Sequence, residues 1–253
     1  MEFYYIRDYI RKGGVVMMSE LTIKVKKFLQ SEGADLIGIG DLSGIKPELR
    51  RNMPIGICLI IAYPAAIIKD ISKAPTMEYM ETYNEINKKL DQLVIRGAEY
   101  LHSMGYEALP QTTSIVKTES DYATVLPYKT VATRSGIGWI GKCALLVTKE
   151  YGSAIRLSTI LTNAPLETSN PINESKCSDC MICTKACPAQ AVKGNHWSIN
   201  TSREEYYDAV KCRKKAREIS KEVLNKEISL CGKCIVVCPY TQAYIRNHTG
   251  ESS

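Results

Sequence analysis

No stretch of this 253-residue chain is apolar for long enough to cross a bilayer. The longest apolar run, Met53 to Ile68, is about sixteen residues and holds Pro54 and Pro64, short of the roughly twenty residues a spanning helix needs. A secretory leader is missing as well, because Arg7, Asp8, Arg11 and Lys12 break up the opening MEFYYIRDYIRKGGVVMMSE. That absence points to the cytoplasm and makes a disulfide framework the least suitable use of cysteine here. Histidine is scarce, with three residues in all. His102, near the end of a helix, reads as a solvated side chain at the helix's negative end rather than as a metal ligand. His248, in the tail, carries no signal.

Cysteine, by contrast, is abundant and patterned, with ten residues. Cys177 to Pro188 reads CSDCMICTKACP, three thiols at CxxCxxC spacing with a fourth after xxx and then proline; Cys231 to Pro239, CGKCIVVCP, repeats the ending. This is the ligand spacing of a bacterial-type ferredoxin with two 4Fe-4S clusters, in which the last cysteine of each run serves the other run's cluster. The second run is one thiol short, and Cys212 is the candidate to complete it. The assignment that follows is Cys177, Cys180, Cys183 and Cys238 on one cluster and Cys187, Cys212, Cys231 and Cys234 on the other. Paired CxxC motifs also build structural zinc sites; two proline-terminated runs and eight thiols favour iron. Cys58 and Cys143 have no ligand spacing, and Cys58 sits in an apolar run that suits a small core residue. The net charge of +6 falls to roughly +2 once two clusters of about −2 each are counted, so composition does not argue for nucleic acid.

Along the chain, Ser19 caps a helix with Leu21, Val25, Phe28 and Leu29 on one side and Gly33 as its stop. ADLIGIGDL reads as a strand, and Ile55 to Tyr63 as a second one, apolar enough for the middle of a sheet with helices on both sides. Apolar residues at three and four residue steps predict a helix from Met77 to Met104, and Tyr106 to Leu109 is a short strand candidate. A short helix, PYKTVATRS, leads into Gly136, Gly138 and Gly141, which bracket Trp139 and Ile140 before the strand ALLVT. Those glycines permit either a tight connection plugged by Trp139 or close backbone approach to something flat. AIRLSTILT is a further strand, carrying Arg156. APLETSNPINES shifts to a linker composition, Trp197 is expected over a cluster as a water screen, and Ser202 to Asn225 reads as one helix with five basic residues around Cys212. Those charges suit a phosphate, an acidic electron donor or plain solvent.

The order GIGWIGK, a strand, YGxxxRLxTxLTxAPL and two cysteine runs with a lone cysteine between them resembles epoxyqueuosine reductases and their short relatives, from about Ser19 to Tyr240. Corrinoid-dependent reductive dehalogenases are similar. The resemblance implies an α+β chain: a nitroreductase-like α/β domain over 19–165, then a ferredoxin-like double 4Fe-4S module over 166–245. Residues 1–18 are then an N-terminal extension and 246–253 a frayed tail. It also implies that Gly136, Gly138, Trp139, Gly141, Lys142 and Cys143 line a corrinoid (cobalamin) pocket, with Lys129 and Arg156 as further contacts, and that the clusters feed it electrons. Two departures stand out. The helical-repeat extension that helps hold the tRNA anticodon arm does not follow Ser253, and a Pro127 and Lys129 motif replaces the family's Glu-Arg pair. The proton-donor position falls on Tyr122, with Asp121 beside it, and both are candidates. The expected activity is a reductase served by an external donor of ferredoxin or flavodoxin type, with tRNA or a corrinoid protein as further partner and no membrane. The alternative is an electron-transfer protein or corrinoid-reactivating factor without a substrate of its own.

Overall fold

The structure, a computed structural model, describes residues 19–113 and 124–250. Its centre is the strand β2 (Ile55–Ala62), whose middle residues from Gly56 to Ile60 are all buried. β2 lies between β1 (Leu36–Asp41) and β6 (Ile155–Thr162), and β3 (Ala108–Gln111) joins the far side of β6. Every pairing is antiparallel. Because side chains alternate along a strand, Ile57 and Leu59 enter one core while Cys58 and Ile60 enter the other. Each fully buried Leu or Ile contributes about 1.5–3 kcal/mol, so a strand apolar on both faces anchors two layers at once.

The first layer holds α1 (Glu20–Ser31), α2 (Ala65–Asp70) and α3 (Met77–Ser103). Ser19 Oγ accepts from Thr22 N at the start of α1, and Thr76 Oγ1 accepts from Tyr79 N at the start of α3. α3 approaches the sheet closely at Gly97, where a Cβ would stand 2.6 Å from Ile160 and 2.7 Å from Leu29. The opposite layer is carried by α4 (Tyr128–Arg134), through Val131 and Ala132. After α4 comes a hairpin, β4 (Trp139–Ile140) with β5 (Leu146–Val147), where the sequence suggests only a turn followed by one strand.

The cysteine-rich part contributes α5 (Ile182–Ala186), α6 (Arg203–Tyr206), α7 (Ala209–Leu224), α8 (Lys233–Val236) and α9 (Pro239–Thr249). Three expectations change here. The helix read over Ser202 to Asn225 is two, because Tyr207 is extended (φ −151°, ψ 138°) and Asp208 starts α7 afresh by accepting from Lys211 N. The segment read as a linker is bonded to the α/β layers: Ser169 N donates to Ile39 O and Ile172 N to Thr133 O, at 2.9 and 2.8 Å. The tail read as frayed from 246 is helical to Thr249. Its anchor lies one turn earlier, where Tyr244 Oη donates to Tyr63 O at 2.8 Å and Ile245 is buried. Leu224, Leu230, Val236, Tyr244 and Ile245 share one core with Ile57, Ile68 and Leu90.

Candidate functional site

The eight patterned cysteines line two neighbouring cavities. Cys177, Cys180, Cys183 and Cys238 stand in the wall of one of about 50 Å3, and Cys187, Cys212, Cys231 and Cys234 in the wall of another of about 240 Å3; Cys234 also reaches the first. Short elements set these positions: α5 carries Cys183, α7 carries Cys212 and α8 carries Cys234, while Pro239 opens α9 directly after Cys238. The chain satisfies its backbone locally, with Cys180 N bonded to Cys177 O at 3.1 Å and Ala191 N donating to Cys187 Sγ at 3.3 Å. Burial pushes the Cys212, Cys231 and Cys238 thiols up, a cost that binding of metal to the thiolates would offset.

Among the described residues no three His, Cys, Asp or Glu side chains group as ligands of a single metal ion. Eight thiols spread around two cavities instead match the donor set of two polynuclear clusters, with four thiolates each. Two buried polar atoms without a partner belong to segments at the first cavity: Trp139, whose indole Nε1 is one of them, packs on Tyr240 at 4.9 Å, and Thr184, whose Oγ1 is the other, follows Cys183. Lys142, 3% exposed, brings a buried cation to the same wall, with Nζ 3.4 Å from Met181 Sδ.

The glycine turn has a packing reason at each position. A Cβ on Gly136 (φ +67°) would stand 2.5 Å from Asn170 O, and one on Gly138 2.5 Å from Val147 O. Trp139 is 1% exposed and lines neither of the large open cavities. Gly141, Lys142 and Cys143 face the cysteine cavities. Ile140 is the residue of the turn that reaches the open side.

Two open cavities of about 650 and 560 Å3 adjoin through Thr130, Ile140 and Trp197. Trp197, expected over a cluster, packs instead on Ile140, Ala144 and Tyr206. The second open cavity is lined by Lys129, Arg156 and Arg203. Arg156 donates through Nε to Asn87 Oδ1 at 3.0 Å and lies over the Tyr83 ring at 4.3 Å. It also stands in the wall of the larger cysteine cavity, so one side chain borders both spaces. Lys129 is half-buried, but its ammonium is enclosed and donates to Ala144 O at 2.5 Å; burial lowers its pKa from 10.5 to about 8. Tyr122 and Asp121 lie outside the described residues. What spacing could not find is Cys143, which lines both cysteine cavities.

An antiparallel α/β layer structure sharing its core with eight cysteines around two cavities is the build of a double-cluster iron-sulfur protein. Residues 176–241 match the family described as a 4Fe-4S double cluster binding domain. The chain is 36% identical to the epoxyqueuosine reductase of Listeria monocytogenes over 121 residues, 45% of this chain and 29% of that one. It is 26% identical to the epoxyqueuosine reductase of Prochlorococcus marinus over 261 aligned positions, 91% of this chain and 81% of the other. The chain thus spans less than a third of the first relative's length. Among solved structures, an epoxyqueuosine reductase with an epoxyqueuosine-modified tRNA-Tyr stem loop superimposes with a TM-score of 0.56 at 22% identity, over 89% of this chain and 66% of that one. A reductive dehalogenase whose structure suggests a mechanism for B12-dependent dehalogenation gives 0.67 at 17%, over 86% and 31%. The chain is therefore similar to epoxyqueuosine reductases in sequence and shares its fold with both kinds of enzyme.

Proposed function

We propose that the protein is an iron-sulfur reductase of the epoxyqueuosine reductase type. Cys177, Cys180, Cys183 and Cys238 hold one 4Fe-4S cluster, and Cys187, Cys212, Cys231 and Cys234 hold the other. The observation that carries this reading is the shared wall at Arg156: the larger cysteine cavity adjoins the open cavity where a substrate has room. Electrons entering at the Cys177 site then leave through the Cys234 site toward that space.

The two adjoining open cavities suit a large planar cofactor beside a substrate, in keeping with a corrinoid. When bound, a corrinoid supplies a cobalt centre that takes up electrons one at a time and reduces the substrate. The chain's own residues prepare the space. Lys129 holds a proton at a pKa of about 8, suited to donation near neutral pH, and Arg156 and Arg203 make the wall attractive to a phosphate-bearing ligand. The similarity to epoxyqueuosine reductases supports a modified nucleoside in a tRNA stem loop as the substrate class. The basic face of α7 around Cys212, with Lys211, Arg213, Lys214 and Lys215, suits an acidic donor of ferredoxin or flavodoxin type. The test is turnover: protein reconstituted anaerobically with iron, sulfide and cobalamin is given an epoxyqueuosine-modified stem loop and a one-electron reductant. Queuosine should form and cobalamin should co-elute with the chain. Absence of both sinks the corrinoid reading.

A further inference from the structure

Two of the ten cysteines belong to neither ligand quartet, and their surroundings differ. Cys58 is enclosed by apolar side chains of the core, among them Ile60, Val131 and Leu161. Cys143, also buried, stands where the two cysteine cavities meet and lines both. Its thiol lies in hydrogen-bonding reach of Cys183 from the first quartet and Cys234 from the second.

The chain spends conformational strain to keep it there. Cys143 sits in the turn of the β4–β5 hairpin, closed by Gly141 N to Leu145 O and Ala144 N to Gly141 O, both 2.9 Å. The next residue, Ala144, takes a left-handed φ of 61°, which costs a residue with a Cβ roughly 1–2 kcal/mol. The Lys129 ammonium holds the Ala144 carbonyl from the other side. Gly141 leaves room for the arrangement: a Cβ there would come within 3.6 Å of Cys177 Sγ and 3.7 Å of Cys143 Sγ. A residue that merely filled space would need none of this.

We propose that Cys143 is a positioning residue that donates its S–H to the Cys234 sulfur and so holds the second cluster at a higher reduction potential than the first. The inference rests on the two-cluster reading above. Each quartet is complete without Cys143, so its sulfur keeps its proton, and a hydrogen bond to a ligand sulfur draws negative charge off the cluster and favours its reduced form. A thiol has one proton and serves one acceptor. Cys234 is the acceptor because it borders both cavities, whereas Cys183 borders only the first. A second, independent donor acts in the same direction: Tyr207, at the break between α6 and α7, bonds through its hydroxyl to Cys212 of the second quartet. Two neutral donors on the quartet next to the open cavity make it the exit of the electron path.

The test compares wild type, Cys143→Ala and Cys143→Ser after identical anaerobic reconstitution, with iron and sulfide analysis and a redox titration followed by electron paramagnetic resonance. The alanine variant should keep the wild-type iron content while the midpoint potential of one cluster falls and the other moves less. The serine variant, which retains an O–H donor, should recover most of the lost potential. Unchanged potentials in a fully loaded alanine variant overturn the proposal. So does loss of iron in both variants, which makes Cys143 a ligand. Failure of the wild type itself to hold two clusters overturns the underlying reading instead, and the iron count separates the two results.

Discussion

At the scale of single residues, Lys129 gives a prediction with a definite sign. Its ammonium is enclosed, so the folded chain binds the proton more weakly than the unfolded chain does, with a pKa of about 8 against 10.5. Below about pH 8 both states carry the proton and the burial cost is constant. Between 8 and 10.5 the folded state releases it first, so stability rises with pH, by on the order of 1–3 kcal/mol across the window. Unfolding midpoints of wild type and Lys129→Met, followed anaerobically from pH 7 to 10, should converge or cross through that window; parallel curves would refute the assignment. If Lys129 is also the proton donor, turnover falls above about pH 8 in the wild type and Lys129→Met lacks that alkaline limb. The cysteine quartets were legible in the sequence because cluster ligation is written in local spacing. Cys143 was not, since its partners Cys183 and Cys234 come from chain far downstream and only the fold brings them to it.

At the scale of elements, β2 was legible because a strand buried on both faces is apolar throughout, and α3 because its apolar positions recur over 27 residues. The β4–β5 hairpin was not, because two paired residues on each side are too few to show a period. α9 escaped for another reason: it is anchored by Thr241, Tyr244 and Ile245 through contacts with distant chain rather than by a strong apolar stripe. One such contact is tight enough to predict a loss. Gly152 has a φ of +58°, and a Cβ there would lie 2.3 Å from Thr241 N. Gly152→Ala should push α9 from its seat and cost about 2–4 kcal/mol by combining overpacking with left-handed strain. A thermal midpoint within error of the wild type would show that the contact yields without cost.

At the scale of the molecule, the polar stretch before Cys177 reads as a separator, yet its backbone bonds to β1 and to Thr133 and the cysteine-rich helices share a core with the sheet. Composition records polarity but not where backbone bonds go, so this union lay beyond the sequence. It follows that cluster loss should be felt throughout the chain. Removing iron with a chelator should lower the unfolding midpoint of the α/β layers as well, because ligand binding free energy is folding free energy. Among the described residues no helix is long and apolar enough to cross a membrane. The most direct test of the central claim, two clusters in two cysteine quartets, is iron and acid-labile sulfide analysis of anaerobically prepared protein, with paramagnetic resonance after reduction. About eight irons and eight sulfides per chain, dropping to about four of each when Cys212 is replaced by alanine, is the predicted result. Zinc in place of iron, or a full complement that Cys212→Ala leaves untouched, would contradict it.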